Sequence, residues 1–337
     1  MKPWSQRENE GRLGRFAVGV TLWLAILTAL SWGYRGVCRA ALQQPVFGVD
    51  DSADTLVVGD SHPQSSLDPA VLVGVENVSG SGESLFFTFY KLRFLLDRNP
   101  GIRRVILGFS AHNLSKKYQD SLLFDESVYP EDFESYYTLL DASGKRLLRS
   151  WRRGFLVASL KYDFGVPIQF YRYRPATKTL LGQEVRRADF DWVGGFYGSA
   201  RSKLDDEQIR RKIKLYFLDE RGRYSGVSDL MVQSLRNILA LCRDRGVQAW
   251  VYTGPEHVRF RSRVPGEALS AFEAVRAAAA LEFPGTWWLD FSEHSLMDGA
   301  FGDGDHANTV GARIISAQVR DRLAGSGYGP QRTREKR

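Results

Sequence analysis

The sequence predicts an α/β protein, a three-layer sandwich built on a mostly parallel sheet and preceded by one N-terminal transmembrane helix. Three observations predict it. Apolar runs of strand length alternate with helical patterns at both ends of the chain, which implies a parallel sheet covered on both faces. Two loops that follow such runs carry serine, histidine and aspartate, and ligands of these sheets collect beyond the carboxyl ends of the strands. A separate stretch from Phe16 to Trp32 holds no charged residue and can cross a bilayer.

That first stretch sets the expected topology. Lys2, Arg7, Arg12 and Arg15 precede it, so the positive-inside rule places residues 1–15 in the cytoplasm, a single-pass anchor at 16–34 and a linker at 35–54. Everything beyond would be extracytoplasmic, in the periplasm of a cell with two membranes. Trp32 and Tyr34 fall where an outer aromatic belt would sit. A cleaved signal peptide shares the basic and apolar pattern, but no small-x-small site ends this segment, which favours an uncleaved anchor.

The elements of the main domain, expected over 55–324, follow in order. Thr55 to Val58 reads as a buried strand ending in Gly-Asp-Ser. The apolar stretch Ala70 to Val78 is the second element. Ser84 to Asp97 has helical spacing through Leu85, Phe89, Leu92 and Leu96, and Asn99-Pro100-Gly101 stops it. Arg104 to Phe109 is a third strand. The alternation resumes with a helix at Asp229 to Arg245, a strand at Val247 to Thr253, an alanine-rich helix at Glu267 to Glu282, a strand at Thr286 to Asp290 and a last helix at Thr309 to Leu323.

Between these halves, about 116–227, the rhythm breaks, and an insertion or lid is expected. It is acidic at first and then rich in Lys and Arg from Lys145 to Lys178, interleaved with Trp151, Phe155, Tyr162 and Tyr173. Such a surface suits an anionic glycan, a protein partner or a membrane surface, or is a solvated face over a small aromatic core. The tail at 325–337 is basic and expected to be disordered. Together with the N-terminus it accounts for part of the net charge of +7, so the basic balance does not argue for nucleic acid. Cys38 and Cys242 form no disulfide framework, and a bond between them has no supporting pattern.

The chemistry lies in Gly59-Asp60-Ser61-His62 and Asp303-Gly304-Asp305-His306. A serine at a sharp strand-to-helix turn is exposed, and the amides of the helix start favour an adjacent oxyanion. Each block alone is also a common turn or cap. Together they supply a nucleophile, a base and a carboxylate that orients the base. Asp303, Asp305 and His306 could instead ligate a divalent cation, but no second ligand cluster accompanies them in sequence; no metal and no cofactor is expected.

In these blocks the chain resembles the SGNH or GDSL hydrolase superfamily, and Asn308 and Gly311 continue the second block as in its membrane-anchored, exopolysaccharide-acetylating branch. The similarity covers about Thr55 to Asn113 and Ser228 to Leu323. The resemblance implies an acyltransferase or acetylesterase with Ser61 as nucleophile, His306 as general base and then acid, and Asp303 as the residue that orients the imidazole. It implies an oxyanion hole from the Ser61 amide, Gly82 (or Gly80) and Asn113. The blocks depart from the family in His62 after the serine and in His112-Asn113 without Gly-x-Asn-Asp surroundings. His62, His112 and His257 are candidate pocket residues. The implied substrate is a cell-surface or secreted polysaccharide and the implied partner a multi-pass membrane acyltransferase. A noncatalytic glycan-binding or assembly component with the same fold is the other reading.

Overall fold

The computed structural model describes residues 6–42, 48–50, 52–119, 136, 139–151, 174–186, 189 and 193–325. Five strands form one all-parallel sheet: β1 (Thr55–Val58), β2 (Val75–Asn77), β3 (Arg104–Gly108), β4 (Gln248–Thr253) and β5 (Trp287–Asp290). Their order is β2-β1-β3-β4-β5, with Val57 opposite Ile106, Ile106 opposite Trp250, and Tyr252 opposite Leu289. A doubly wound sheet of this order reverses direction between β1 and β3, and the crevice beyond their carboxyl ends is the natural place for a site.

Alternate strand residues point to opposite faces, and here both sets are buried, which is why the strands read as continuous apolar runs. Val57, Ile106, Trp250, Tyr252 and Leu289 pack with Leu67, just after the short helix α2 (Ser61–Ser66), and with Ile315, Val319 and Leu323. Those three come from the C-terminal helix (Thr309–Gly325). Leu56, Val58, Val105, Leu107 and Val251 fill the other side. The helix α3 (Leu85–Arg98) packs there against the helix Asp229–Asp244, which also touches β4.

Only the end of the apolar stretch 70–78 becomes strand. Its start is spent on turns, with the amides of Val71 and Leu72 donating to the Asp68 carbonyl. Ser84 caps α3 through Phe87, as the Ser84 to Asp97 spacing predicts. In chain order the remaining helices are α4 (Ala142–Trp151), α5 (Arg174–Leu180), α6 (Asp206–Phe217), α7 (Asp229–Asp244), α8 (Val258–Arg261), α9 (Gly266–Glu282) and α10 (Thr309–Gly325).

The chain divides into two compact units, Met1–Val46 with Leu140–Phe190, and Phe47–Leu139 with Asp191–Arg337. The first holds α1 (Gln6–Leu42), against which α5 packs. Within α1, Arg12–Tyr34 is long and apolar enough to cross a membrane, with mean hydropathy 1.8. The expected insertion at 116–227 is thus shared between the units. Phe155, Tyr162 and Tyr173, like most of its aromatic and acidic residues, lie outside the described residues, as does the tail beyond 325. Cys242 is a free thiol in α7, and burial pushes its pKa up to about 12, so it is an inert packing residue.

Candidate active site

The crevice between β1 and β3 is tight because of two glycines. Gly59 adopts φ +127°, and a β-carbon on it would lie 3.1 Å from the Gly108 amide nitrogen. The chain can therefore turn sharply out of β1 into α2, with Asp60 capping the helix by accepting the His62 amide at 2.9 Å. Ser61 is the first helical residue and is only partly buried.

His306 reaches it from the loop before α10. Its Nε2 lies 2.7 Å from Ser61 Oγ, and its Nδ1 lies 3.0 Å and 3.1 Å from the two oxygens of Asp303. Asp303 is itself fixed, since its Oδ1 accepts the amides of Asp305 and His306 at 3.1 Å and 3.0 Å. The loop is closed by the Gly302 amide donating to the His306 carbonyl, and by Asn308, whose Oδ1 accepts the amides of Val310 and Gly311 at the start of α10. Serine and histidine, 245 residues apart in the chain, thus meet with the aspartate in hydrogen-bonding order.

Behind the serine lies a buried polar network. Asp60 Oδ2 accepts from His112 Nε2 at 2.6 Å and from Asn113 Nδ2 at 2.7 Å. His62 stands between the two halves, with Nε2 3.3 Å from Asp305 Oδ2, Nδ1 3.4 Å from Ser110 Oγ, and its ring centroid 4.4 Å from that of His112 and 5.0 Å from that of His306. Tyr216 of α6 stacks on His112 at 5.1 Å. His62 and His112 therefore lie buried behind Ser61.

Two expectations change. Asn113 donates from Nδ2 to Asp60 and accepts the Ser110 amide on Oδ1 at 2.7 Å, and it is buried, so its side chain supports Asp60 instead of facing an oxyanion. His257 lies outside the pocket. It caps α8, its ring packs on Phe301, and its amide donates to the Gly304 carbonyl, bracing the Asp303 loop from behind. The Gly80 amide is bound to the Gly59 carbonyl and is not available. The amides of Ser61 and Gly82 have no hydrogen-bond partner among the described residues, and the Ser81 hydroxyl ties that loop to Gln64 of α2.

One site residue went unforeseen. Lys212 of α6 places Nζ 2.8 Å from Asp303 Oδ2, in an ion pair with Asp305, and 3.0 Å from His306 Nδ1. Its neighbours Arg210, Arg211 and Lys214 are all basic, so nothing in the sequence marks it out. The only signal is register: Lys212 lies four residues before Tyr216 on a helix whose buried face is Ile209, Ile213, Tyr216 and Phe217.

These charges set one another's protonation. Burial opposes the charged form of Asp305, but His306 and Lys212 outweigh it and hold its pKa well below the carboxylate range; Asp303 and Asp60 are lowered likewise by their histidines. Burial also opposes the His306 imidazolium, yet Asp305 and Asp303 prevail and raise its pKa. Asp60, His62 and His112 lie close enough to share a cation, as do His62, Asp305 and His306, a clustering that the sequence alone did not reveal. Their facing atoms are already joined by hydrogen bonds, and the ammonium of Lys212 holds the Asp305 carboxylate of the second group. The chain matches no protein-family model and no curated protein sequence.

Proposed function

We propose that this chain is a membrane-anchored, extracytoplasmic serine enzyme of the SGNH type that moves an acyl group, with acetyl the expected one, onto or off a cell-surface or secreted polysaccharide. One observation carries the reading: the 2.7 Å contact of Ser61 Oγ with His306 Nε2, with Asp303 on the other ring nitrogen. Its position beyond β1 and β3, at the reversal of the sheet, supports it. The apolar helix Arg12–Tyr34 and the basic residues before it support a cytoplasmic N-terminus and a sheet unit outside the membrane.

In this reading Ser61 Oγ attacks the ester carbonyl as its proton passes to His306 Nε2. The negative carbonyl oxygen is met by the amide of Ser61 at the start of α2 and that of Gly82 in the loop before α3. Collapse expels the alcohol, which takes the proton from His306, and leaves acyl-Ser61. A second hydroxyl then gives its proton to His306 and takes the acyl group, restoring the serine. If that hydroxyl belongs to a sugar the enzyme is a transferase, and if it belongs to water an esterase. A multi-pass membrane acyltransferase as source of the acyl group fits this arrangement.

Full-length protein in detergent, treated with an activated acetyl ester, should gain the mass of one acetyl group. Ser61→Ala should gain none, and ester turnover should be lost in Ser61→Ala and His306→Ala. Folded wild type with neither adduct nor turnover would defeat the proposal. It would favour a noncatalytic glycan-binding or assembly component, a reading that draws on the commitment of Asn113 to Asp60, which takes one expected oxyanion donor away.

A further inference from the structure

We infer that Lys212 is a positioning residue for the triad: its ammonium offsets the extra carboxylate of Asp305, so that His306 faces the charge of a single aspartate and remains a usable base at neutral pH. The inference rests on the acyl-transfer reading of Ser61, His306 and Asp303, and it gives α6, a helix with no counterpart in the two motifs, a part in the chemistry.

An ordinary triad has one carboxylate, which orients the imidazole and stabilises the imidazolium as it forms. Here two carboxylates face Nδ1, Asp303 Oδ1 at 3.0 Å and Asp305 Oδ1 at 3.4 Å. A second anion that close, on a carboxylate closed to water, would stabilise the imidazolium before reaction as well, and a protonated ring accepts no proton from Ser61. Lys212 bonds both carboxylates and brings Nζ to 3.0 Å of Nδ1. An ammonium has donors only. When Nδ1 carries the hydrogen that it gives to Asp303, this close approach is therefore no bond, and it opposes a second positive charge on the ring. One lysine against two aspartates leaves the net charge of one.

The other titratable groups around His306 among the described residues do not do this work. From α2, His62 turns Nε2 to the far oxygen of Asp305. From the loop after β3, His112 is spent on Asp60. Tyr216, also on α6, is kept neutral by burial and then by Asp305. Glu256, beyond β4, is buried, and burial raises its pKa.

The test is the pH dependence of kcat/KM for an activated acetyl ester, measured on the full chain in detergent. Lys212→Met should move the acidic limb up by about one pH unit, a tenfold loss below the limb, while the alkaline plateau is kept. Asp305→Asn should move the limb down, Lys212→Met/Asp305→Asn should return it toward wild type, and Lys212→Arg should stay near wild type. An unmoved limb in Lys212→Met, or a plateau lost with no shift, would overturn the inference by reducing Lys212 to a structural ion pair. Should Lys212→Met fail to fold, the downward shift in Asp305→Asn decides the same balance. If wild type turns over no ester, the function proposed above falls, and Lys212 is judged alone by NMR titration of the His306 ring. That signal is one of five histidines, assigned by its loss in His306→Asn. A ring pKa that rises in Lys212→Met upholds the charge balance, and one that stays put ends it.

Discussion

Two histidine–aspartate pairs flank Ser61, and they are built from the same residue types to opposite ends. In His306–Asp303 the carboxylate holds Nδ1, which leaves Nε2 for the serine hydroxyl in a partly open site. In His112–Asp60 the carboxylate takes Nε2 itself, Asn113 and the His62 amide fill the remaining carboxylate positions, and Tyr216 covers the ring. The first pair can move a proton to and from a reacting group. The second caps α2 and so fixes where Ser61 stands. What separates base from scaffold is which ring nitrogen the carboxylate occupies and whether the other meets a hydroxyl.

The widest separation should come from deleting each ring in turn. His306→Ala should cut ester turnover by at least about 10³-fold, because among the described residues no other base is hydrogen-bonded to Ser61 Oγ, and should leave the chain folded. His112→Ala should do the reverse. Asp60 is buried and its carboxylate would lose a hydrogen-bond donor, a cost of about 1–3 kcal/mol, while turnover per folded molecule should stay within about tenfold of wild type. Thermal melts beside turnover measure both. If His112→Ala abolished turnover in a well-folded protein, the distinction between the pairs would fail.

The pairs should also part under pH. Asp60, Asp303 and Asp305 have lowered pKa values in the folded chain, so their contribution to stability is present above the unfolded value of about 4 and is lost as pH falls through the lower native values. His306 has a raised pKa, so its contribution is present below about pH 6.5 and is lost as pH rises through the native value. Urea melts from pH 3 to 9 should therefore show Asp60→Asn flattening only the acid side and His306→Asn flattening the neutral-to-alkaline side. Equal changes on both sides in either variant would show that the two pairs titrate as one unit.

The sequence made the triad legible and most of its setting illegible, for reasons that differ by residue. Ser61 and His306 stand in blocks whose local chemistry, a strand-to-helix turn and an aspartate three residues before a histidine, survives without knowledge of the fold. The strands around Val57, Ile106 and Tyr252 were readable because burial on both faces leaves continuous apolar runs. The acid partner of His112 was not readable, since Asp60 and His112 are 52 residues apart and only the parallel pairing of β1 with β3 brings them together. Lys212 was hidden by its own neighbours, in a helix whose polar residues beyond the first turn are all basic. Asn113 was misjudged because block resemblance specifies a residue type and not the direction of its side chain, which the demand of the buried Asp60 decides here.

The smallest expected effect belongs to His257, and it sharpens the difference between lining a site and bracing it. Its Nδ1 accepts the Arg259 amide at 3.1 Å, its Nε2 lies 3.2 Å from the exposed Asp298, and its own amide donates to the Gly304 carbonyl at 3.0 Å. Only the last bond touches the loop that carries Asp303 and His306, and an alanine keeps it. His257→Ala should therefore lose the helix cap, worth about 1 kcal/mol, and lower turnover by less than about threefold, with the pH limb unmoved. His257→Asn, which can cap α8 in the same way, should recover the stability. A large loss of turnover in His257→Ala with the cap restored in His257→Asn but no return of activity would mean that the ring itself faces substrate. The Asp303 loop would then need a different brace.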